Sequence, residues 1–77
     1  MSGSPIKARL IAEIPVERVD FASGEGAAWP VIGDIVELDQ GFTGPNGQPM
    51  GMVVCFNDDR SVRWAADVLD SEIELLS

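Results

Sequence analysis

Few residues in this sequence can carry out chemistry, and their spacing narrows what they do. There is one cysteine, Cys55, and no histidine. A nucleophilic thiol needs a base beside it. Cys55 instead stands inside the apolar run Met50-Gly51-Met52-Val53-Val54-Cys55-Phe56, where a thiol is inert packing. The common zinc sites draw several ligands from Cys and His, which this composition excludes. Asn57-Asp58-Asp59 offers oxygens, but a calcium site takes about six to eight of them and the EF-hand spacing is missing. Asn and Asp are ordinary corner residues, so the stretch reads as a turn. Gly24-Glu25-Gly26 has the glycine spacing of a phosphate cradle, yet it holds a carboxylate and no lysine follows.

The carboxylates are the remaining candidates. Glu37 with Asp39, and Glu72 with Glu74, alternate as strand residues do, so each pair points to one side of its strand. Acid–base catalysis would need a cleft that perturbs them; acids on a solvated sheet face are commonplace. If the two strands lie near each other, the four acids form one surface able to dock a basic protein, as an inhibitor, immunity protein or antirepressor does. Trp29 and Phe42 are the aromatic candidates for the same partner surface.

The whole composition agrees with that direction. Of 77 residues, 13 are acidic and 5 basic, a net charge of −8. Such a field repels nucleic-acid phosphates and anionic membrane surfaces, leaving a protein partner, basic in character, and no cofactor. Acidity also serves solubility alone. A lone cysteine excludes an internal disulfide, and no apolar run is long enough to span a membrane. The first residues lack the basic and apolar regions of a signal peptide, so cytoplasmic residence is the expectation. A chain of this length buries only about 60% of the surface it exposes when unfolded. It forms one domain, residues 6–77, after a disordered terminus, residues 1–5. A deep catalytic cavity within one monomer is less affordable than a shallow groove or a site between subunits.

The elements that position these residues read mostly as strands. In residues 6–14, Ile6, Ala8, Leu10, Ala12 and Ile14 alternate with the intervening residues. A helix from Ser4 to the Pro15 stop also fits (Ile6, Leu10, Ile11, Ile14), but the unbroken alternation favours a strand. Residues 16–21 read as an extended connection or brief turn. Residues 22–28 are loop-like, and Pro30 holds Trp29 extended. A strand starts at Gly33-Asp34, with Val36 and Leu38 on one face. Residues 40–49 form a loop around the Pro45-Asn46-Gly47 turn, with Phe42 inside it as a lid on the end of the core or an exposed anchor, the lid favoured. The next strand is apolar on both faces: Met50, Met52, Val54 and Phe56 on one, Gly51, Val53 and Cys55 on the other. One small sheet supplies a strand with one interior, so Val53 and Cys55, with Ile11, are candidates for a homo-oligomer interface. Residues 61–69 and a final short stretch after residue 70 read as strands, with a helix (Val62, Ala65, Ala66, Leu69, Ile73, Leu76) as the competitor.

In order, these are a glycine-led strand, a long turn, a hydrophobic strand, a tight corner, a Trp-bearing strand and a closing Ser71-Glu72-Ile73-Glu74-Leu75. Over about residues 32–76 that pattern resembles an SH3-like barrel, which implies an all-β fold of five to six strands, with a 3-10 turn before the last strand as an option. Signalling SH3 domains bind proline-rich peptides through a tyrosine-rich groove, and this chain has no tyrosine. The chain is also similar, more loosely, to the plasmid-borne trimethoprim-resistant dihydrofolate reductases, through Gly33-Asp34 and Gly51-Met52-Val53-Val54. Their Val-Gln-Ile-Tyr motif is replaced by Ser71-Glu72-Ile73-Glu74, and an acidic pore would repel NADPH, so that activity does not carry over. The chain resembles the small uncharacterised products of bacterial mobile gene cassettes as well. Two function classes follow: a non-catalytic binding or accessory module, or a small homo-oligomeric enzyme or ligand binder with its site shared between subunits.

Overall fold

The computed structural model describes residues 6–23 and 29–76; the expected disordered terminus, residues 1–5, and the glycine pair Gly24 and Gly26 lie outside them. All of the regular structure is β, apart from two single-turn 3-10 helices among the described residues. The strands are β1 (Ile6–Leu10), β2 (Val19–Ala22), β3 (Ile35–Thr43), β4 (Pro49–Phe56), β5 (Val62–Leu69) and β6 (Ile73–Leu76). The 3-10 turns, Val16–Arg18 and Asp70–Glu72, lead into β2 and β6. All pairings are antiparallel, in the order β2-β5-β4-β3-β1-β6. Strands were thus the right reading at both ends of the chain, and the 3-10 turn stands before the last strand.

The alternation in β4 decides which way the sheet curls. Gly51, Val53 and Cys55 are buried, while Met50, Met52, Val54 and Phe56 are half-buried. The interior is completed by Ala8 and Leu10 of β1, Val36 of β3, and Trp64, Ala66 and Val68 of β5. Val19 of β2 and Ile73 of β6 pack against this cluster from the two sheet edges. Val53 and Cys55, expected between subunits, are therefore interior packing of one chain. Ile11 is exposed just past the end of β1.

Three other expectations change. β1 stops at Leu10, short of residue 14, because the backbone beyond it bonds elsewhere: Ile11 N–H donates to the Glu72 carbonyl at 2.9 Å. Residues 19–22, at the boundary of the expected connection (16–21) and loop (22–28), form a strand on β5, with the register shifting between Val19 and Phe21. Phe42 is not in a loop. β3 runs to Thr43, and Phe42 pairs with Met50 of β4. The turn is confined to residues 44–48, closed by Gly44 N–H to the Gln48 carbonyl at 2.8 Å, with Gly47 at φ 82°.

Two close fits carry the packing. A Cβ on Gly51 would sit 2.7 Å from Leu38 Cδ1, so β3 and β4 approach as they do because residue 51 has no side chain. Overpacking of this kind typically costs about 1–3 kcal/mol. Gly51→Ala should therefore lower the urea midpoint by a corresponding amount at unchanged m-value, and an unshifted midpoint would show that Leu38 moves aside freely. The indole of Trp64, fully buried, donates from Nε1 to Asp34 Oδ2 at 3.1 Å. Asp34→Ala strands that donor, which costs about 1–3 kcal/mol; the decisive comparison is Asp34→Asn, whose amide oxygen can still accept and should recover most of the loss.

Candidate functional site

The face of the sheet that the core does not use carries the site. Antiparallel register places Phe42, Met50 and Leu69 side by side across β3, β4 and β5. Such cross-strand neighbours stand about 5 Å apart, so the three make a continuous apolar row on the outside of the sheet. They line a groove of about 420 Å³ together with Pro45 and Gln48 of the β3–β4 turn, Arg18 and Asp67. Gln48 and Leu69 also line a neighbouring hollow, bounded by Asn46, Pro49, Asp70 and Ser71. The two hollows share walls, so one surface runs along this end of the sheet.

Each wall has a local cause. Gly44 lies beneath Met50, where a Cβ would come 2.5 Å from the Met50 sulfur. The thioether thus rests on bare backbone and leaves the groove open above it. The Gln48 side-chain carbonyl accepts from Asn46 N–H at 3.0 Å, fixing the turn that carries Pro45. Arg18 reaches the groove from the first 3-10 turn. Its Nη1 and Nη2 donate to Glu72 Oε1 and Oε2, both at 2.8 Å, and Nη1 donates to the Asp67 carbonyl at 3.5 Å. Glu72 also accepts from Leu69 N–H at 2.7 Å, the half of a capping box that leucine permits. One carboxylate therefore holds both 3-10 turns and, through them, the two sheet edges β2 and β6.

The titrating groups follow from this geometry. The Arg18 hydrogen bonds hold the Glu72 carboxyl below its ordinary value, against partial burial, and raise Arg18 in turn. Burial pushes the Asp67 carboxyl up, the Asp20 carboxylate beside it acts in the same direction, and Arg18 acts against both. Burial likewise raises the Cys55 thiol, which keeps it protonated and unreactive.

The residues singled out in the sequence are distributed rather than gathered. Phe42 and Glu72 come to the groove, Phe42 in its wall and Glu72 behind Arg18. Glu37 pairs with Arg60 at 3.0 Å, and Glu74 with Arg9 at 3.6 Å. β1 runs between β3 and β6, placing Lys7 beside Glu37 and Arg9 beside Glu74. The four acids thus do not share one face of unbroken negative charge. Asp39 is exposed where the β3–β4 register shifts. Trp29 precedes the turn of residues 31–34, beyond the Ile35 end of β3, whereas Phe42 is near the other end, roughly 23 Å along the strand. The two aromatics do not form one anchor. Arg18, Asp67, Gln48 and Leu69 were not singled out; Arg18 as a lone cation between Glu17 and Val19 was the available signal. No family model matches the sequence, and no curated protein or solved structure gives a significant match.

The opposed shifts make a prediction about acid. A carboxylate whose folded pKa is lowered stabilises the fold above its unfolded value, and that stability is lost as pH falls through the folded value. Glu72 is of this kind. Asp67 is the reverse: its raised value makes protonation favour the fold, so it adds stability as pH falls. Urea titrations from pH 6 to pH 3 should show Glu72→Gln flattening the acid-side loss and Asp67→Asn steepening it. Equal slopes in the two variants would contradict this assignment.

Proposed function

We propose that this protein is a non-catalytic binding module of SH3-like architecture that docks an extended segment of a partner protein in the groove over Phe42, Met50 and Leu69. The observation that carries this reading is the apolar row itself. It lies outside the core, on the face of β4 and β5 opposite the buried Gly51, Val53, Ala66 and Val68, beside the exposed end of β3. Phe42, at the turn end of the β3–β4 pair, keeps 38% of its surface exposed. Clustered apolar surface of this sort, rimmed by polar groups, marks interaction sites.

The order of elements supports the SH3-like reading: glycine-led β3, a turn, apolar β4, a tight corner, Trp-bearing β5, a 3-10 turn and β6. The groove wall is Phe, Met and Leu where signalling SH3 domains use tyrosines, so the partner segment is not expected to be a PxxP ligand. Cys55 is enclosed, and Glu37, Glu72 and Glu74 each face an arginine, an arrangement suited to holding shape.

A random peptide library displayed on phage tests the proposal. Peptides selected on the wild-type protein should lose at least tenfold in affinity against Phe42→Ala, and should tolerate Val31→Ala at the other end of the molecule. Near-UV circular dichroism of the two tryptophans verifies that both variants remain folded. Failure to select any peptide, or selection of peptides indifferent to Phe42, would rule the groove out as the docking site.

A further inference from the structure

The polar end of the groove is short of positive charge. Arg18 is present there, but both its terminal nitrogens are engaged by Glu72. Asp67 contributes to the lining, and its β5 position puts its side chain on the outer face, since its neighbours Ala66 and Val68 are in the core. Asp20, at the register shift of β2, adds a second carboxylate beside it. Glu17 also acts on Arg18 from the first 3-10 turn, and Asp70 borders the adjoining hollow. Arg9, Arg60 and Arg63 meet Glu74, Glu37 and Asp34 elsewhere on the barrel. Lys7 stands beside Glu37, so among the described residues the cation acting on Asp67 is Arg18, itself held by Glu72; a further cation for Asp67 would come from another molecule.

The apolar part of the groove specifies what carries that cation. Leu69 and Asp67 are two residues apart on the same face of β5, about 7 Å along the strand, which matches the reach of an extended lysine or arginine side chain. Such side chains lay their methylene stems on apolar surface while the charged head stays at a polar rim. A free inorganic cation would leave Phe42, Met50 and Leu69 without a counterpart, and an acidic or uncharged segment would leave Asp67 without one.

We propose that the groove is specific for a basic side chain, lysine or arginine, of an extended partner segment, with the stem on Phe42, Met50 and Leu69 and the head at Asp67. This rests on the groove being the docking site. The adjoining hollow with Asp70 and Ser71 then takes the residues that flank the anchor. Met50 sets the depth of the slot because its sulfur rests on Gly44; an added methyl there pushes the thioether into the groove.

Peptides selected on the groove, those that Phe42→Ala weakens, supply the test. They should carry lysine or arginine at one fixed position. In calorimetric titrations, replacing that residue by norleucine, which keeps the stem and drops the charge, should cost the wild-type protein at least tenfold in affinity. Asp67→Asn should bind the lysine and norleucine peptides equally, and Gly44→Ala should weaken both. Equal binding of the two peptides to wild type, or a lysine preference unchanged in Asp67→Asn, overturns the basic anchor while leaving the groove as a docking site. Self-association in sedimentation equilibrium that Phe42→Ala abolishes would make a second copy of the chain the occupant, and would also overturn it. Peptides indifferent to Phe42 would instead fail the docking site itself.

Discussion

The sheet is built around a single large buried side chain whose one polar atom must be satisfied. Trp64 is fully enclosed, and its indole N–H finds Asp34. Asp34 can serve because the chain turns sharply just before it. Gly33 takes φ 101°, which a Cβ would oppose, and Asp34 N–H donates to the Val31 carbonyl at 3.0 Å. The same carboxylate accepts from Val31 N–H at 3.0 Å and faces Arg63 at 3.7 Å. The turn in its own right bonds to the end of β1, with Gly33 N–H donating to the Leu10 carbonyl and Leu10 N–H to that of Asp34. Burying the indole therefore fixes where β3 begins, where β1 ends and how β5 lies between its neighbours. A core this small has few other ways of aligning so many strands.

On the other side of the end of β1 the constraint is ionic: Ile11 N–H bonds to the Glu72 carbonyl as Leu10 N–H bonds to that of Asp34. The Arg18–Glu72 pair joins the two 3-10 turns that lead into β2 and β6, the edge strands of the sheet. Their carboxylate and guanidinium meet in the bidentate geometry that makes such pairs strong. The groove forms where this clamp leaves off and the β3–β4 hairpin projects beyond it. Around the buried Trp64, small inner residues such as Gly51 on β4 and Ala66 on β5 hold the sheet close, while Met50 on β4 and Leu69 on β5 are on the outer face.

Much of the fold was legible because it was written in local chemistry. The alternation in residues 50–56, the Pro45-Asn46-Gly47 turn and the corner at residues 57–60 each carry their own physical cause. The corner is tied by Asp59 Oδ1, which accepts from the Ser61 N–H at 3.0 Å and hydroxyl at 2.6 Å, and Arg60 takes φ 72° within it. What was not legible depends on residues distant in sequence. Arg18 and Glu72 are 54 positions apart, and nothing local announces their meeting. β2 is short and its register shifts at Asp20, which breaks the alternation by which a strand is recognised. Phe42 reads as a loop residue because Gly41, Gly44, Pro45 and Gly47 surround it; Met50 across the ladder makes it a strand residue. Glu37 and Asp39 read as one surface with Glu72 and Glu74 from sequence alone; β1, with its Lys7 and Arg9, runs between β3 and β6 and breaks that surface.

The enclosure of Cys55 gives the molecule a built-in reporter. The thiol is 4% exposed, and burial favours its protonated form. A sulfhydryl reagent can reach it only when β4 parts from its neighbours. Its labelling rate is therefore a clock for opening of the β4 core, readable without adding any probe to the protein.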